Sequence, residues 1–224
     1  MQIDIILNFL KELSANNNRE WFAANREQYD SARRIFEEIS NKLIAGIGSF
    51  DKSIIQVEAK DCIFRIYRDI RFSHDKTPYK THFGVYIAAH GGRKSPFGGY
   101  YLHLEPTGCF LGAGVWQPPP PTLKALRQAV YDNIDELNEI RAEKNFKRYF
   151  PAFFEEDKLK SVPAGFPKDF PDADLLKLKH YLVEYKIDDA LLKSEKFCEQ
   201  AIEIFRVAEP FNKFLNYTIE EAGA

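Results

Sequence analysis

The residue types best suited to chemistry in this chain are concentrated between Lys60 and Lys94. This stretch contains eight lysine or arginine residues and three aspartates, a net charge of +5, although the whole chain has a net charge of −2. The planar guanidinium of arginine binds two oxygens of a carboxylate or phosphate at once, and lysine adds a compact point charge. The stretch therefore predicts a binding site for a phosphate- or carboxylate-bearing small molecule.

Eleven side chains make up this candidate site. Seven are expected to bind the ligand, as cations or as donors that orient it: Asn25, Arg65, Arg68, Arg71, Lys76, Tyr79 and Lys80. Four are expected to support them: Trp21, Asp69, Asp75 and His82. Asp69 or Asp75 would position the cations or act as a base, and the sequence leaves the catalytic residues of any reaction unknown.

Two members of the set are polar residues within apolar sequence patterns. Arg65 interrupts an apolar strand pattern from Cys62 to Arg68, where a half-buried arginine needs a carboxylate or a bound anion as its partner. Asn25 falls within the apolar stripe of a predicted helix, where its amide must be hydrogen-bonded. Asn25 either ties that helix to a neighbouring backbone or lines a pocket.

A structural interpretation of the same residues stays open. Asp69 and Asp75, together with Glu58 and Asp61, are close enough in sequence to pair with these cations internally. Networks of this kind also concentrate charge in one place. Under this alternative the chain is a non-enzymatic interaction module, and the Arg/Lys/Asp motif is an ion-pair network that holds the fold.

Other kinds of site have weaker support. His82, His103 and Glu105 could meet across adjacent strands, but no H-E-x-x-H or C-x-x-C motif accompanies them, so we expect no metal and no cofactor. A hydrogen-bonded pair explains His103 and Glu105, which share a strand face. The chain has no P-loop, no dinucleotide fingerprint and no G-x-S-x-G nucleophile motif.

Composition limits the partners and the compartment. The net charge of −2 argues against a nucleic-acid partner. The N-terminus lacks a basic signal-peptide region, and no run of about 18 apolar residues predicts a membrane span. Three scattered cysteines indicate a reducing environment rather than a disulfide framework. We therefore expect a soluble cytoplasmic protein, with its oligomeric state open.

Hydrophobic periodicity predicts the elements that would position these residues. Helices are expected over residues 3–15, about 19–46 and 194–217. Asn18 is the predicted N-cap of the second, and Pro210 should kink or split the last. A further helix is expected after Pro118–Pro121, followed by a short one capped by Asn133 and Glu136. Strands are expected over residues 53–59, 62–68, 82–89, 100–105, 109–116 and 181–187, with an irregular connector over 144–174. A face shared by Gly112 and Gly114 favours close packing by a helix over a ligand there. The fold class is α+β: an antiparallel meander sheet packed by N-terminal and C-terminal helices, in one domain over residues 1–224.

Three motifs resemble a widespread microbial family, the domain of unknown function 2461 family. They are N-N-R-E-W-F-x-x-N-R-x-x-Y at residues 17–29, R-I-Y-R-D-I-R-F-S-x-D-K-T-P-Y-K-T at 65–81 and G-Y-Y-L-H-L-E-P at 99–106. The resemblance covers most of the chain and implies a single α+β domain. It implies no settled activity, cofactor or catalytic residue. In this family lysine is expected at position 74 as often as histidine, which weakens any scheme that needs His74.

Overall fold

Four antiparallel strands form one sheet in the order β1-β2-β3-β4, in a computed structural model that describes residues 2–223. The strands are β1 (Phe83–Ile87), β2 (Gly99–Leu104), β3 (Phe110–Val115) and β4 (Tyr181–Lys186). The helices are α1 (Gln2–Ala15), α2 (Arg19–Ala24), α3 (Arg26–Gly48), α4 (Ala59–Cys62), α5 (Pro120–Asp132), α6 (Ile134–Ala142), α7 (Lys144–Tyr149), α8 (Ala173–Leu176), α9 (Asp189–Leu192) and α10 (Phe197–Glu221). The predicted α+β meander is confirmed.

One face of the sheet forms the core with the terminal helices. Alternate strand residues point to opposite faces, and those on this inner face are apolar. The ring of Phe83 lies 5.2 Å from Phe36 of α3, and that of Tyr100 lies 5.4 Å from Phe205 of α10. The ring of Phe9 in α1 also lies 6.3 Å from Phe83, so the packing of N-terminal and C-terminal helices on the sheet is confirmed. None of the helices in residues 2–223 has the length and apolar character needed to cross a bilayer.

The opposite face carries polar side chains, and we call it the outer face. Cross-strand pairing places the following on it: Gly84 and Tyr86 of β1, Tyr101 and His103 of β2, Phe110, Gly112 and Gly114 of β3, and Glu184 of β4. Several of these polar residues are partly buried. A sheet face of this kind favours hydrogen bonds among its own side chains, because each polar group removed from water needs a partner.

The predicted helix over 19–46 is wrong at one point, because Asn25 separates α2 from α3. Its backbone leaves the helical region at φ −109° and ψ 25°, and its side-chain amide donates to the Trp21 carbonyl at 2.8 Å. Asparagine side chains compete in this way with regular helical hydrogen bonds. The Asn18 N-cap is confirmed, since its side chain accepts from the Trp21 N–H at 2.8 Å.

The two strands predicted before β1 are wrong. A 3₁₀ turn, Lys52–Ile54, overlaps the start of the first of them, residues 53–59, because the Asp51 carboxylate accepts from the N–H and hydroxyl of Ser53. Cys62 ends α4, and the segment after it pairs with its neighbour through isolated bridges at Ile63 and Tyr67 and a few backbone hydrogen bonds, without forming a continuous strand. Residue types that favour strands did not make these two segments strands, because local capping and sparse pairing determined the backbone conformation.

Three expectations for the second half of the chain are also corrected. Asn133 does not cap α6, because its side-chain amide donates back to the Ala129 carbonyl at 3.1 Å. The connector over 144–174 is not irregular throughout, because it contains α7 and the first residues of α8. Pro210 does not split α10, which runs unbroken from Phe197 to Glu221 with a buried face on the core. The predicted β4 is confirmed over residues 181–186.

The neighbour of Gly112 and Gly114 is a strand rather than a helix. The nearest side-chain atoms to a Cβ added at Gly112 belong to Tyr101 of β2 and Leu182 of β4. At Gly114 the nearest atom is the Tyr181 carbonyl oxygen of β4. The two glycines therefore permit close approach between strands of the sheet itself.

Candidate functional site

Two antiparallel segments bring basic residues together beside the edge strand β1. Residues 63–67 run along residues 79–85, with isolated bridges at the two ends of this pairing. Between the bridges the backbone N–H of Lys80 donates to the Ile66 carbonyl at 2.8 Å. Lys80 therefore lies opposite Ile66, the residue after Arg65, and, in addition to burial, the charge of Arg65 is near enough to lower the pKa of Lys80.

Three of the predicted ligand-binding cations are already paired within the loop that joins these segments. Arg71 donates to Asp69 at 3.0 and 2.7 Å, and Arg68 donates to Asp75. Lys76 donates to a loop carbonyl at 3.0 Å. Hydrogen bonds from Arg71 lower the pKa of Asp69 to about 2. The pKa of Asp75 is also lowered to about 2 by the hydrogen bonds that its carboxylate accepts. The hydrogen bond from the Thr77 N–H has the largest effect, and the one from Arg68 comes next.

Arg65 and Lys80 differ from the two arginines of the loop, Arg68 and Arg71. Within the described part of the chain, neither has an ion pair with a carboxylate. Lys80 is partly buried, and its ammonium lies 5.2 Å from the centre of the Phe64 ring. Burial and the charge of Arg65 lower the pKa of Lys80. The expectation that Arg65 is half-buried is wrong, because its segment is too sparsely paired to enclose it and the residue is exposed.

The aromatic members of the predicted set lie in a different environment. Tyr79 is 6% exposed, and its ring stacks on Phe22 with 4.0 Å between centroids. Trp21 is partly buried against Phe9 at 6.2 Å, and Asn25 donates to the Trp21 carbonyl. These three residues belong to the aromatic cluster between α1, α2 and the Tyr79 segment rather than to the outer face.

A chain of hydrogen bonds crosses the outer face next to Lys80. The Thr81 hydroxyl donates to Glu105 Oε1 at 2.7 Å, and Glu105 Oε2 lies 3.3 Å from His103 Nε2. His103 Nδ1 lies 3.1 Å from the Tyr101 hydroxyl. Because a carboxylate only accepts, these partners assign the proton to Nε2 and make Nδ1 the acceptor from Tyr101. The predicted His103–Glu105 pair is confirmed.

His82 stands at the start of β1 and contacts the same chain. Its ring lies 4.5 Å from that of His103, with 31° between the planes. Burial, His103 and Lys80 lower the pKa of His82 to about 4. One ligand atom each from His82, His103 and Glu105 lie within 4.8 Å of one another. Among residues 2–223, none donates to or accepts from the ring nitrogens of His82.

Three residues of this outer-face group, Tyr101, Thr81 and Glu184, were not selected from the sequence. Tyr101, His103 and Glu105 are spaced two residues apart, along β2 and just beyond its end. That period of two was the available signal for Tyr101. The sequence contains no such signal for Glu184, because only the pairing of β3 with β4 places this residue on the outer face. Burial raises the pKa of Glu184.

A surface groove elsewhere on the molecule has less chemistry. It has a volume of about 680 Å³ and lies between α6, α7 and the connector that follows α7. Its cations are the exposed Lys147 and Arg141, which is already paired with Asp172 at 3.2 Å and donates to Asn138 at 2.7 Å. The unpaired cations and the histidine pair therefore make the outer face the candidate site.

Asn17 holds the second segment of the site against the helices. Its side-chain amide donates to the Tyr79 carbonyl at 2.9 Å and its oxygen accepts from the Tyr79 N–H at 3.1 Å. This arrangement replaces the strand partner that the Tyr79 backbone would otherwise need.

Replacing Asn17 by alanine should destabilise the protein by about 2 kcal/mol, because a buried backbone N–H and carbonyl lose their partners together. Urea unfolding measures the change. The matched control is Asn16→Ala, since Asn16 is exposed and donates to a carbonyl of its own helix. Equal stability of the two variants would contradict the anchoring role.

Comparison with known families gives one result. A family model described as conserved hypothetical protein (DUF2461) matches residues 5–214 of the 224-residue chain. Comparison with curated proteins and with solved structures gave no match.

Proposed function

We propose, for a chain that belongs to the DUF2461 family of conserved hypothetical proteins, that Arg65 and Lys80 bind a phosphate- or carboxylate-bearing small molecule at the edge of the outer face. The main support is that Lys80 is a partly buried cation with no carboxylate partner, placed beside a second unpaired cation. Partly buried charges need compensation, and like charges side by side repel. An anion bound between the two cations removes both costs.

The other basic residues have a structural role in this proposal. Arg68 and Arg71 are neutralised by Asp75 and Asp69, so they shape the loop instead of binding the ligand. The ion-pair interpretation drawn from the sequence therefore applies to these two pairs, and the anion-site interpretation applies to Arg65 and Lys80. Asn25 and Tyr79 support the segment that carries Lys80 through the aromatic cluster.

The environment of Lys80 favours an anion over a neutral ligand. Arg65 offers a planar pair of donors at the exposed rim, and Lys80 offers a point charge in a drier position against Phe64. A charge-assisted hydrogen bond is stronger where water is partly excluded.

Thermal denaturation at low salt with a panel of anions tests this proposal. The panel contains inorganic phosphate, sulfate, small mono- and dicarboxylates, nucleotides and a single-stranded oligonucleotide. A ligand that binds only the native state raises Tm by mass action, and low salt avoids screening of the exposed arginine. We expect at least one small anion to raise Tm, and Arg65→Ala to abolish that shift.

Arg71→Ala is the matched control, because it removes an exposed arginine that is already paired with Asp69. It should keep the anion-induced shift of the wild type. A panel with no shift from any small anion would contradict the proposal, and so would an equal loss of the shift in both arginine variants.

A further inference from the structure

We propose that His82, His103 and Glu105 form a binding site for one divalent transition-metal ion, with zinc as the best match to the donor set. One ligand atom from each of these side chains lies within 4.8 Å of the other two. This inference goes beyond anion binding and does not depend on it, because the three ligands are not the residues that would hold the anion. His103 lies on β2, Glu105 directly follows β2 and His82 directly precedes β1, and these two strands are paired in one sheet.

The distances are close to those of a metal site. Zinc bonds to imidazole nitrogen and carboxylate oxygen are about 2.0 to 2.2 Å long, which puts tetrahedral ligand atoms roughly 3.3 to 3.6 Å apart. His103 Nε2 and Glu105 Oε2 are already 3.3 Å apart. The ligand atom of His82 lies within 4.8 Å of the other two, so a shift of at most about 1.5 Å completes a three-ligand set and leaves a fourth position for water or a ligand.

The ring nitrogens of His82 are available to a ligand. It is a partly buried histidine, and within residues 2–223 it has no hydrogen bond to either ring nitrogen. Its ring instead lies 4.5 Å from a second histidine. Two imidazoles that face one another cannot both carry a proton charge without repulsion, whereas a shared cation binds the lone pairs of both. A metal ion binds the neutral form of a histidine.

Tyr101 and Thr81 are placed to orient the ligands. Tyr101 lies at 3.1 Å from His103 Nδ1, so a metal on Nε2 leaves Nδ1–H to donate to the Tyr101 oxygen. The proton of His103 moves from Nε2 to Nδ1 by exchange with solvent, with no net proton released. Thr81 holds Glu105 Oε1 at 2.7 Å and leaves Oε2 for the ion. Partners of this kind fix tautomer and orientation in known metal sites.

Local motifs did not predict this site. The sequence led to an expectation of no metal, because His82 lies 21 residues before His103 and no short motif links them. The pairing of β1 with β2 brings them together. Lys80 and Arg65 oppose a bare cation here, which an anion or hydroxide in the fourth position would offset.

Isothermal titration of the metal-stripped full chain with Zn²⁺ tests the proposal. We expect one Zn²⁺ per chain in the wild type and an affinity at least about 100-fold lower in His82→Ala and in Glu105→Gln. His74→Ala is the control, since His74 is exposed in the neighbouring loop, and it should match the wild type. Absence of stoichiometric binding, or an equal loss in His74→Ala, would overturn the proposal.

A measurement on the wild type covers the case in which a variant fails to fold. Ring-nitrogen NMR of the five histidines during Zn²⁺ titration should shift His82 and His103 together at one equivalent. The exposed His74 and His90 should not shift at that point. If zinc moves only the exposed histidines, the ion binds elsewhere and the outer-face site does not exist.

Discussion

Replacing Lys80 by methionine should weaken binding of a small anion by about 10- to 100-fold and leave the free protein at least as stable as the wild type. A hydrogen bond to a charged group contributes roughly 1.5 to 3 kcal/mol, which corresponds to a change in affinity of about 10- to 140-fold. Without its ligand, Lys80 is a partly buried cation beside Arg65 with no carboxylate partner. Methionine keeps the apolar stem against Phe64 and removes the repulsion.

This combination of effects separates binding from structure. The affinity of the Lys80→Met variant is measured by calorimetry with the anion that stabilises the wild type, and Tm is measured at low salt. Lys76→Met is the control, because Lys76 is exposed and donates only to a loop carbonyl. A large fall in Tm for Lys80→Met, with anion affinity unchanged, would show that Lys80 is structural.

Replacing Gly114 by alanine should cost at least about 4 kcal/mol of unfolding free energy or prevent folding altogether. Gly114 has φ +122°, a backbone conformation that side chains disfavour. A Cβ there would overlap the Tyr181 carbonyl oxygen, which is backbone of the paired strand β4 and cannot move alone. The Gly114 carbonyl also accepts from the Tyr86 hydroxyl at 2.9 Å on the outer face.

Gly112→Ala is the matched control two residues away on the same face. A Cβ at Gly112 has its nearest neighbours at 3.6 and 3.7 Å, which is ordinary contact. We expect its stability to be within about 1 kcal/mol of the wild type. Chemical denaturation of both variants decides the matter. If Gly114→Ala unfolds at the same denaturant concentration as Gly112→Ala, the close approach of β3 to β4 is not a constraint on the sheet.

The sheet could be predicted because its signals are local. Alternation along β2 and β3 and the turn between them identify the hairpin, and they also place His103 and Glu105 on one face. The same alternation placed Gly112 and Gly114 together, but it contains no information on which element lies beside them. The close neighbour is β4, which is about 70 residues further along the chain.

The candidate site was only partly predictable, for a related reason. The pairing of Arg71 with Asp69 follows from a separation of two residues, so the alternative of internal ion pairs had a local basis. The proximity of Arg65 to Lys80 depends on two isolated bridges with no sequence signature. Apolar residues around Arg65 predicted a strand, yet the sparse pairing of that segment leaves the side chain exposed.

The most direct test of the proposed function is the position of a bound anion. Crystals grown without sulfate or phosphate can be soaked in selenate, which resembles both ions and is located by anomalous diffraction. We predict the strongest selenium peak between the side chains of Arg65 and Lys80, at the edge of the outer face. A peak only on the Arg71–Lys76 loop, or no peak in the protein, would contradict the assignment of this site.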